Sequence, residues 1–175
     1  MKRVTIVGPS GSGKSTLAQE LGKLNGLPVF HMDQLFFKPG WVEKSRAELA
    51  EEVEKILESN EEWIIEGNYS QTLPVRIAQS SHVIFLDYPR RVYVYRVLKR
   101  LVKTYGRVRK DMAPGCPERI DIAFLKYVWH FKSKRREKLL KIVSAHVTEK
   151  NQLLIFKHPK ECDRYIRKVR ESEND

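Results

Sequence analysis

Residues 8–15 read Gly8-Pro9-Ser10-Gly11-Ser12-Gly13-Lys14-Ser15 and satisfy G-x-x-x-x-G-K-[ST] at every fixed position. No other stretch limits so strongly what this chain can become. Glycines in such a loop let the backbone curl until several N–H groups converge on one phosphate, and the following helix adds the positive end of its dipole. The motif needs a strand before it and a helix after it. Arg3-Val4-Thr5-Ile6-Val7 supplies the short β-branched run, and Leu17, Ala18, Leu21 and Leu24 recur at helical spacing. Gly8 to Ser15, with the adjoining Thr16, are therefore candidate ATP-binding residues. Lys14 is placed for the β- and γ-phosphates and Ser15 for Mg²⁺.

Four further apolar runs, at 27–31, 63–67, 82–87 and 152–156, read as strands. They alternate with helical patterns at about 45–59, 72–79, 90–103, 120–131, 132–145 and 160–170. The pattern predicts an α/β fold of three layers, with a five-stranded parallel sheet covered on both faces. Asp33 stands just beyond the second strand, at the sheet end where such folds bind ligands. A carboxylate there can take a proton from a substrate hydroxyl, or it can simply cap a turn. Glu66 ends the third strand and Asp87 the fourth. Each has the form of an acid that holds Mg²⁺ beside a phosphate loop, so both join Ser15 as candidate metal-side groups. Phe36, Phe37, Pro39, Gly40 and Trp41 form an aromatic stretch too irregular for a helix, suited either to a pocket wall or to core.

Ser45-Arg46-Ala47-Glu48 is a capping box ahead of the helical pattern at 45–59. In the helix predicted at 90–103, Val92, Tyr95, Leu98 and Val102 offer an apolar face, and Arg96 and Arg100 share another. Residues 105–118 lose all periodicity and mix Gly106, Pro114, Gly115 and Pro117 with Arg107, Arg109 and Lys110, which predicts a mobile basic loop. Lys134, Arg135 and Arg136 fall near a predicted helix start, where cations oppose the dipole and so suit a ligand or open solvent. The last residues, 171–175, read as a frayed tail.

Charge matters because it is concentrated. Of a net +11, residues 90–141 carry 17 Lys+Arg against 4 Asp+Glu, a balance of +13, and the rest is close to neutral. Such a segment suits a lid over polyphosphate, a nucleic-acid face, or solvated helix surfaces. The 175 residues predict a single domain, 1–175, with a lid-like insertion at about 105–131. No apolar run approaches the length of a membrane span, and the first strand begins at once, leaving no room for a signal peptide. Cys116 and Cys162 make neither a disulfide framework nor a zinc set, so a reduced cytoplasm is the expected compartment.

The phosphate loop is joined by His31-x-Asp33-x-Leu35-Phe36, Lys38-Pro39-Gly40-Trp41 and Trp63-Ile64-Ile65-x-Gly67-Asn68-Tyr69. Phe85-Leu86-Asp87-x-Pro89-Arg90, Tyr95-Arg96-x-x-x-Arg100 and Asp111-Met112-Ala113-x-Gly115-Cys116-Pro117-Glu118 complete the set. Together these motifs are similar to those of the FlaR-type DNA topology modulation proteins, relatives of adenylate kinase. The resemblance implies the nucleoside-monophosphate-kinase branch of the P-loop fold, with strand order 2-3-1-4-5. It also implies ATP and Mg²⁺ as cofactors, and Asp33 as the acceptor-side acid. Arg96 and Arg100 match the arginine pair that opens a lid and touches adenine and phosphates, and Arg107, Arg109 and Arg119 belong to that lid or its hinge. Lys14, Asp33, Arg100 and Arg109 are thus the candidate catalytic set. The chain departs from adenylate kinases after strand three: Glu66-Gly67 replaces Asp-Gly, and Asn68-Tyr69 replaces the Phe-Pro-Arg that grips a monophosphate acceptor, leaving Arg76 as a candidate substitute.

Three functions fit these features. The first is an ATP-dependent phosphotransferase acting on a small hydroxyl or phosphate acceptor, with a nucleoside or nucleotide foremost. The second is a nucleic-acid-associated ATPase linked to DNA topology, gripping DNA through residues 90–141. The third is a nucleotide-binding regulator without catalysis.

Overall fold

Strand β1, Arg3–Val7, is buried from Val4 onward, as a strand covered on both faces must be. The structure is a computed structural model and describes residues 1–172. Around β1 lie β2 (Val29–His31), β5 (Trp63–Glu66), β6 (His82–Leu86) and β7 (Gln152–Phe156). The sheet order is β2-β5-β1-β6-β7, every pair parallel. With the small hairpin set aside, this is the predicted 2-3-1-4-5. Register sets Ile6 beside Glu66 and beside Ile84, and His31 beside Glu66, so the carboxyl ends of three strands meet at one place.

Alternation along the strands separates the layers. Val4, Ile6, Ile64, Ile84 and Leu86 face α1 (Lys14–Asn25) and α8 (Pro159–Ser172), where Leu17, Leu21 and Cys162 close the core. Val7, Val83 and Phe85 face the other way, toward α4 (Leu73–Gln79) and α5 (Arg90–Thr104). Trp63 and Ile65 pack on α3 (Arg46–Ser59) through Leu49, Val53 and Leu57. The capping box forms as read: the Ser45 hydroxyl accepts from the Glu48 N–H at 3.1 Å, and Glu48 accepts from the Ser45 N–H at 2.7 Å. Among the described residues no helix is long and apolar enough to cross a membrane.

Four local expectations are corrected. The α5 helix buries Tyr93, Val97 and Leu101, whereas Tyr95, Leu98 and Val102 are exposed. Apolar residues lie all around this helix, so periodicity alone could not choose the face that meets the sheet. The aromatic stretch is a short helix α2 (Met32–Phe36) running into a hairpin, β3 (Phe37–Lys38) and β4 (Val42–Glu43). The predicted helices at 120–131 and 132–145 are continuous: α6 (Ile122–His130) passes through a π-helical turn, Phe131–Arg135, into α7 (Arg136–His146). Lys134, Arg135 and Arg136 therefore sit at no free helix start and oppose no exposed dipole end. Finally, α8 runs through Glu171 and Ser172 rather than fraying there; the rest of the predicted tail lies outside the described residues.

The basic loop after α5 is also better fastened than its composition predicts. A bridge between Tyr105 and Glu118 closes its base, with Gly106 N–H donating to Glu118 O at 2.8 Å and Glu118 N–H to Arg107 O at 2.9 Å. Its tip buries Met112, Ala113 and Cys116 against Phe37 and Trp41 of the hairpin. Two segments with weak local signals thus stabilise each other through contacts some 75 residues apart in sequence.

Candidate active site

The phosphate loop follows β1 directly. A side chain at Gly11 (φ 83°) would put a Cβ 2.4 Å from Tyr93 O, and one at Gly8 would reach 2.7 Å from Leu86 O. Only glycine allows these approaches, so the loop's tight curve is dictated by its sequence. Asn68 closes the loop from below: its amide accepts from Gly8 N–H and donates to Gly8 O, both at 2.9 Å. Arg96 from α5 donates to Ser12 O at 3.0 Å. Helix α1 starts at Lys14 with Gly13 as its cap and no side-chain oxygen on its first N–H groups, which leaves them directed at a ligand. The Ser12 hydroxyl is buried with no protein partner. Lys14 Nζ rests on Pro9 O at 3.2 Å, and burial holds its pKa below the ordinary lysine value against the pull of Glu66 and Asp33.

The two acids left open by the sequence have different partners. Glu66 is buried, accepts from the Ser15 hydroxyl at 3.0 Å, and shares the same oxygen with His31 Nδ1 at 2.9 Å. Asp87 meets Arg136 of α7 through both oxygens, at 2.6 and 2.5 Å, and does not line the cavity beside the loop. A hydroxyl and a carboxylate side by side are the hard oxygen donors that Mg²⁺ takes, and the sparsely liganded arrangement suits an ion that keeps several waters.

Asp33 lies on α2 and accepts from the Tyr69 hydroxyl at 2.6 Å. Burial and then the nearby Glu66 raise its pKa, while the Tyr69 hydrogen bond works against that rise. Across the cavity Glu118, 6 % exposed, bridges the two arginines of the candidate catalytic set. Arg100 Nη2 lies 3.2 Å and Arg109 Nε 2.7 Å from its carboxylate, and Arg109 also pairs with Asp111 at 2.8 Å. Against the burial that would raise it, Arg109 holds the Asp111 pKa below the usual carboxylate value. One cavity of about 1420 Å³ joins Ser10 to Thr16 and Asp33 with Arg96, Arg100, Arg107, Arg109, Arg119 and Arg135. Gly8 and Pro9 support the loop from behind and do not line that cavity.

Arg76, the sequence's substitute for an acceptor-gripping arginine, is fully buried and turned elsewhere. Its guanidinium donates to the carbonyls of Gly67 at 2.9 Å, Asn68 at 3.3 Å and Tyr69 at 3.4 Å, and burial pulls its pKa down to about 9. It fixes the turn that carries Asn68 and Tyr69. Arg76→Ala is expected to destabilise the protein by about 3 kcal/mol, because three carbonyls lose a charged donor inside a buried volume. A urea unfolding curve checks this; a midpoint equal to that of the wild type would refute the supporting role.

Sequence reasoning missed Asn68, Tyr69, His31, Asp111 and Glu118 as participants, whereas Arg136, which it singled out as suited to a ligand, pairs with Asp87 and does not line the cavity. For Asn68 and Tyr69 a signal existed: they follow a strand end that register places beside the phosphate loop. Glu118 had none, since its partner Arg100 is 18 residues away.

Comparison with known proteins bears on the family and the fold. Residues 4–113 match the AAA domain family AAA_18. A shikimate kinase from Acinetobacter baumannii, solved with shikimate, superposes with a TM-score of 0.58 at 16% identity, over 97% of this chain and 90% of that one. A gluconokinase from Sinorhizobium meliloti 1021 gives 0.53 at 14%, over 99% and 91%. Shikimate kinase from Aquifex aeolicus gives 0.52 at 20%, over 98% of each chain. At such identities the likeness is one of fold. No curated protein sequence matches the chain.

Proposed function

The chain belongs to the AAA domain family, and from that premise we propose that it is an ATP- and Mg²⁺-dependent phosphotransferase that moves the γ-phosphoryl group to a hydroxyl of a small acceptor. The observation that carries the proposal is the common cavity. Six of the nine arginines in residues 90–141 line one cavity with the phosphate loop and Asp33; Arg90, Arg91 and Arg136 do not. The likeness to small-molecule kinases in fold supports it.

In this reading the loop N–H groups and Lys14 bind the β- and γ-phosphates, and Arg96 steadies the loop while lying near the base. Ser15 and Glu66 would hold Mg²⁺, which supplies neutralisation of phosphate oxygens when bound. Arg100 and Arg109 meet the charge that spreads over the transferring group. Asp33 orients the acceptor hydroxyl and takes its proton as the oxygen attacks phosphorus and the bond to ADP breaks. The whole chain acts as one P-loop unit, with 105–131 as the lid-like insertion. The finer affinity is to the FlaR-type DNA topology modulation proteins, whose name fits such an enzyme only if DNA is an indirect beneficiary.

The test is ATP consumption with Mg²⁺ against small hydroxyl compounds, nucleosides and nucleotides, with and without DNA. A small acceptor should raise turnover by at least about tenfold over background. Stimulation by DNA alone would instead assign the protein to nucleic-acid-associated ATPases, and tight ATP binding without any turnover would make it a regulator.

A further inference from the structure

We propose that the acceptor is an uncharged hydroxyl compound built on a planar aromatic ring system, of the nucleoside class, held by rings of the hairpin and of α6 with its hydroxyl at Asp33. This rests on the phosphotransferase reading above and narrows it.

The first observation is a row of rings that starts at the partner of Asp33. Tyr69 lies 5.1 Å from Phe36 between centroids, Phe36 lies 4.9 Å from Phe37, and Phe37 lies 5.3 Å from Trp41. Tyr69, Phe37 and Trp41 all line the cavity. Helix α6 adds Phe124 and Tyr127, nearly parallel at 15°. Phe124 and Tyr127 line the same cavity as Asp33 and Tyr69, so the two ring sets face one volume. Aromatic faces on this scale receive planar rings by stacking, with little dependence on which ring.

The second is the backbone of Trp41. It has φ 66°, the left-handed region that a bulky side chain seldom adopts, and among the described residues no other non-glycine does so. Three contacts hold it there. Its N–H donates to Cys116 Sγ at 3.3 Å, its indole N–H to Pro117 O at 3.1 Å, and Gly40 N–H to Gly115 O at 2.9 Å. A large ring kept in a costly conformation at the edge of a cavity is the signature of a ligand clamp.

The third is charge. A monophosphate or carboxylate acceptor needs a cation at its own end of the cavity. Arg76 is turned into the protein onto three carbonyls, and Arg100 and Arg109, joined by Glu118, are taken by the transferring phosphoryl group. Arg119 and Arg135 lie over the faces of Trp41 and Tyr127, at 5.2 and 4.5 Å, where they extend the stacking surface. Asp33, with Glu66 behind it, puts carboxylate beside the acceptor hydroxyl, which repels an anion there and accepts from a neutral alcohol.

The experiment measures ADP release by the full chain with ATP and Mg²⁺. It compares ribo- and deoxyribonucleosides, their 5′-monophosphates, and polyols and sugar acids that carry no aromatic ring. At least one nucleoside should raise ADP release by about tenfold or more, with its monophosphate and the ringless compounds inactive. Trp41→Asn, chosen because asparagine tolerates a positive φ, and Tyr127→Leu, from the other element, should each raise the KM for that nucleoside by about tenfold while leaving the KM for ATP within about twofold. Preference for a monophosphate or a ringless acceptor, or an unchanged nucleoside KM in either folded variant, overturns this inference and leaves the phosphotransferase standing. Silence from every acceptor class, with ATP still bound, overturns both.

Discussion

Lys14→Ala is expected to lower acceptor-stimulated ATP turnover by about 10³-fold, with no loss of folding stability. The ammonium group is the one formal charge that the phosphate loop itself contributes, and it waits on Pro9 O at 3.2 Å rather than in an ion pair. Burial depresses its pKa, so the protonated group is held at a cost that an arriving polyphosphate offsets. A single neutral donor aimed at developing charge is worth about 10²–10³ in rate in a water-excluded site, and a full charge is worth at least the upper end of that range. Removing a desolvated ammonium takes away no ion pair and one weak hydrogen bond, so the melting temperature should stay the same or rise. Steady-state kinetics with the preferred acceptor, beside a thermal melt, check both halves. A folded variant within tenfold of wild-type turnover would show that the loop binds phosphate for some purpose other than transfer.

Much of this architecture could be read from the chain because its signals are local. The strand–loop–helix motif, the β-branched runs and the capping box each lie within a few residues, and each formed where its physical cause predicted. The readings that needed correction concern contacts between distant segments. Residues 105–118 carry every mark of a mobile loop, yet Met112, Ala113 and Cys116 are covered by a hairpin whose own sequence looked irregular. Neither segment predicts the other. The α5 helix is apolar on nearly all sides, so its buried row of Tyr93, Val97 and Leu101 is chosen by the sheet rather than by its own pattern. The site shows the same division. Lys14, Ser15, Asp33 and Glu66 stand at strand ends or in the motif and were legible; the partners that tune them, Tyr69, His31, Asp111 and Glu118, come together only through the sheet register and the loop closure. Arg76 makes the point most clearly. On its short helix it reads as a candidate substitute for an acceptor-gripping arginine, and only its depth in the fold shows that it serves the backbone.

The same tuning makes the second large effect specific. Asp33→Asn should lower kcat with the preferred acceptor by about 10²–10³-fold, since asparagine can still orient a hydroxyl but cannot take its proton. The KM for ATP should be little changed, because the phosphates are held by a different set of groups. The wild-type pH profile carries a second test of the same assignment. Asp33 works as the carboxylate. Its pKa is raised, first by burial and then by Glu66, so activity should climb with pH along a limb that lies above the ordinary carboxylate value of 3.8. Tyr69 donates to the charged form at 2.6 Å and thereby lowers that pKa. Tyr69→Phe removes the donor, so the protonated acid gains ground and the limb moves to higher pH. Activity of Tyr69→Phe should then fall furthest at low pH and converge toward wild type as pH rises through the shifted value. A profile of kcat/KM for the acceptor between weakly acidic and neutral pH reads this directly. A limb that moves downward, or an Asp33→Asn enzyme that keeps its kcat, would mean that the carboxylate beside the phosphate loop serves the fold and that the acceptor proton leaves by another route.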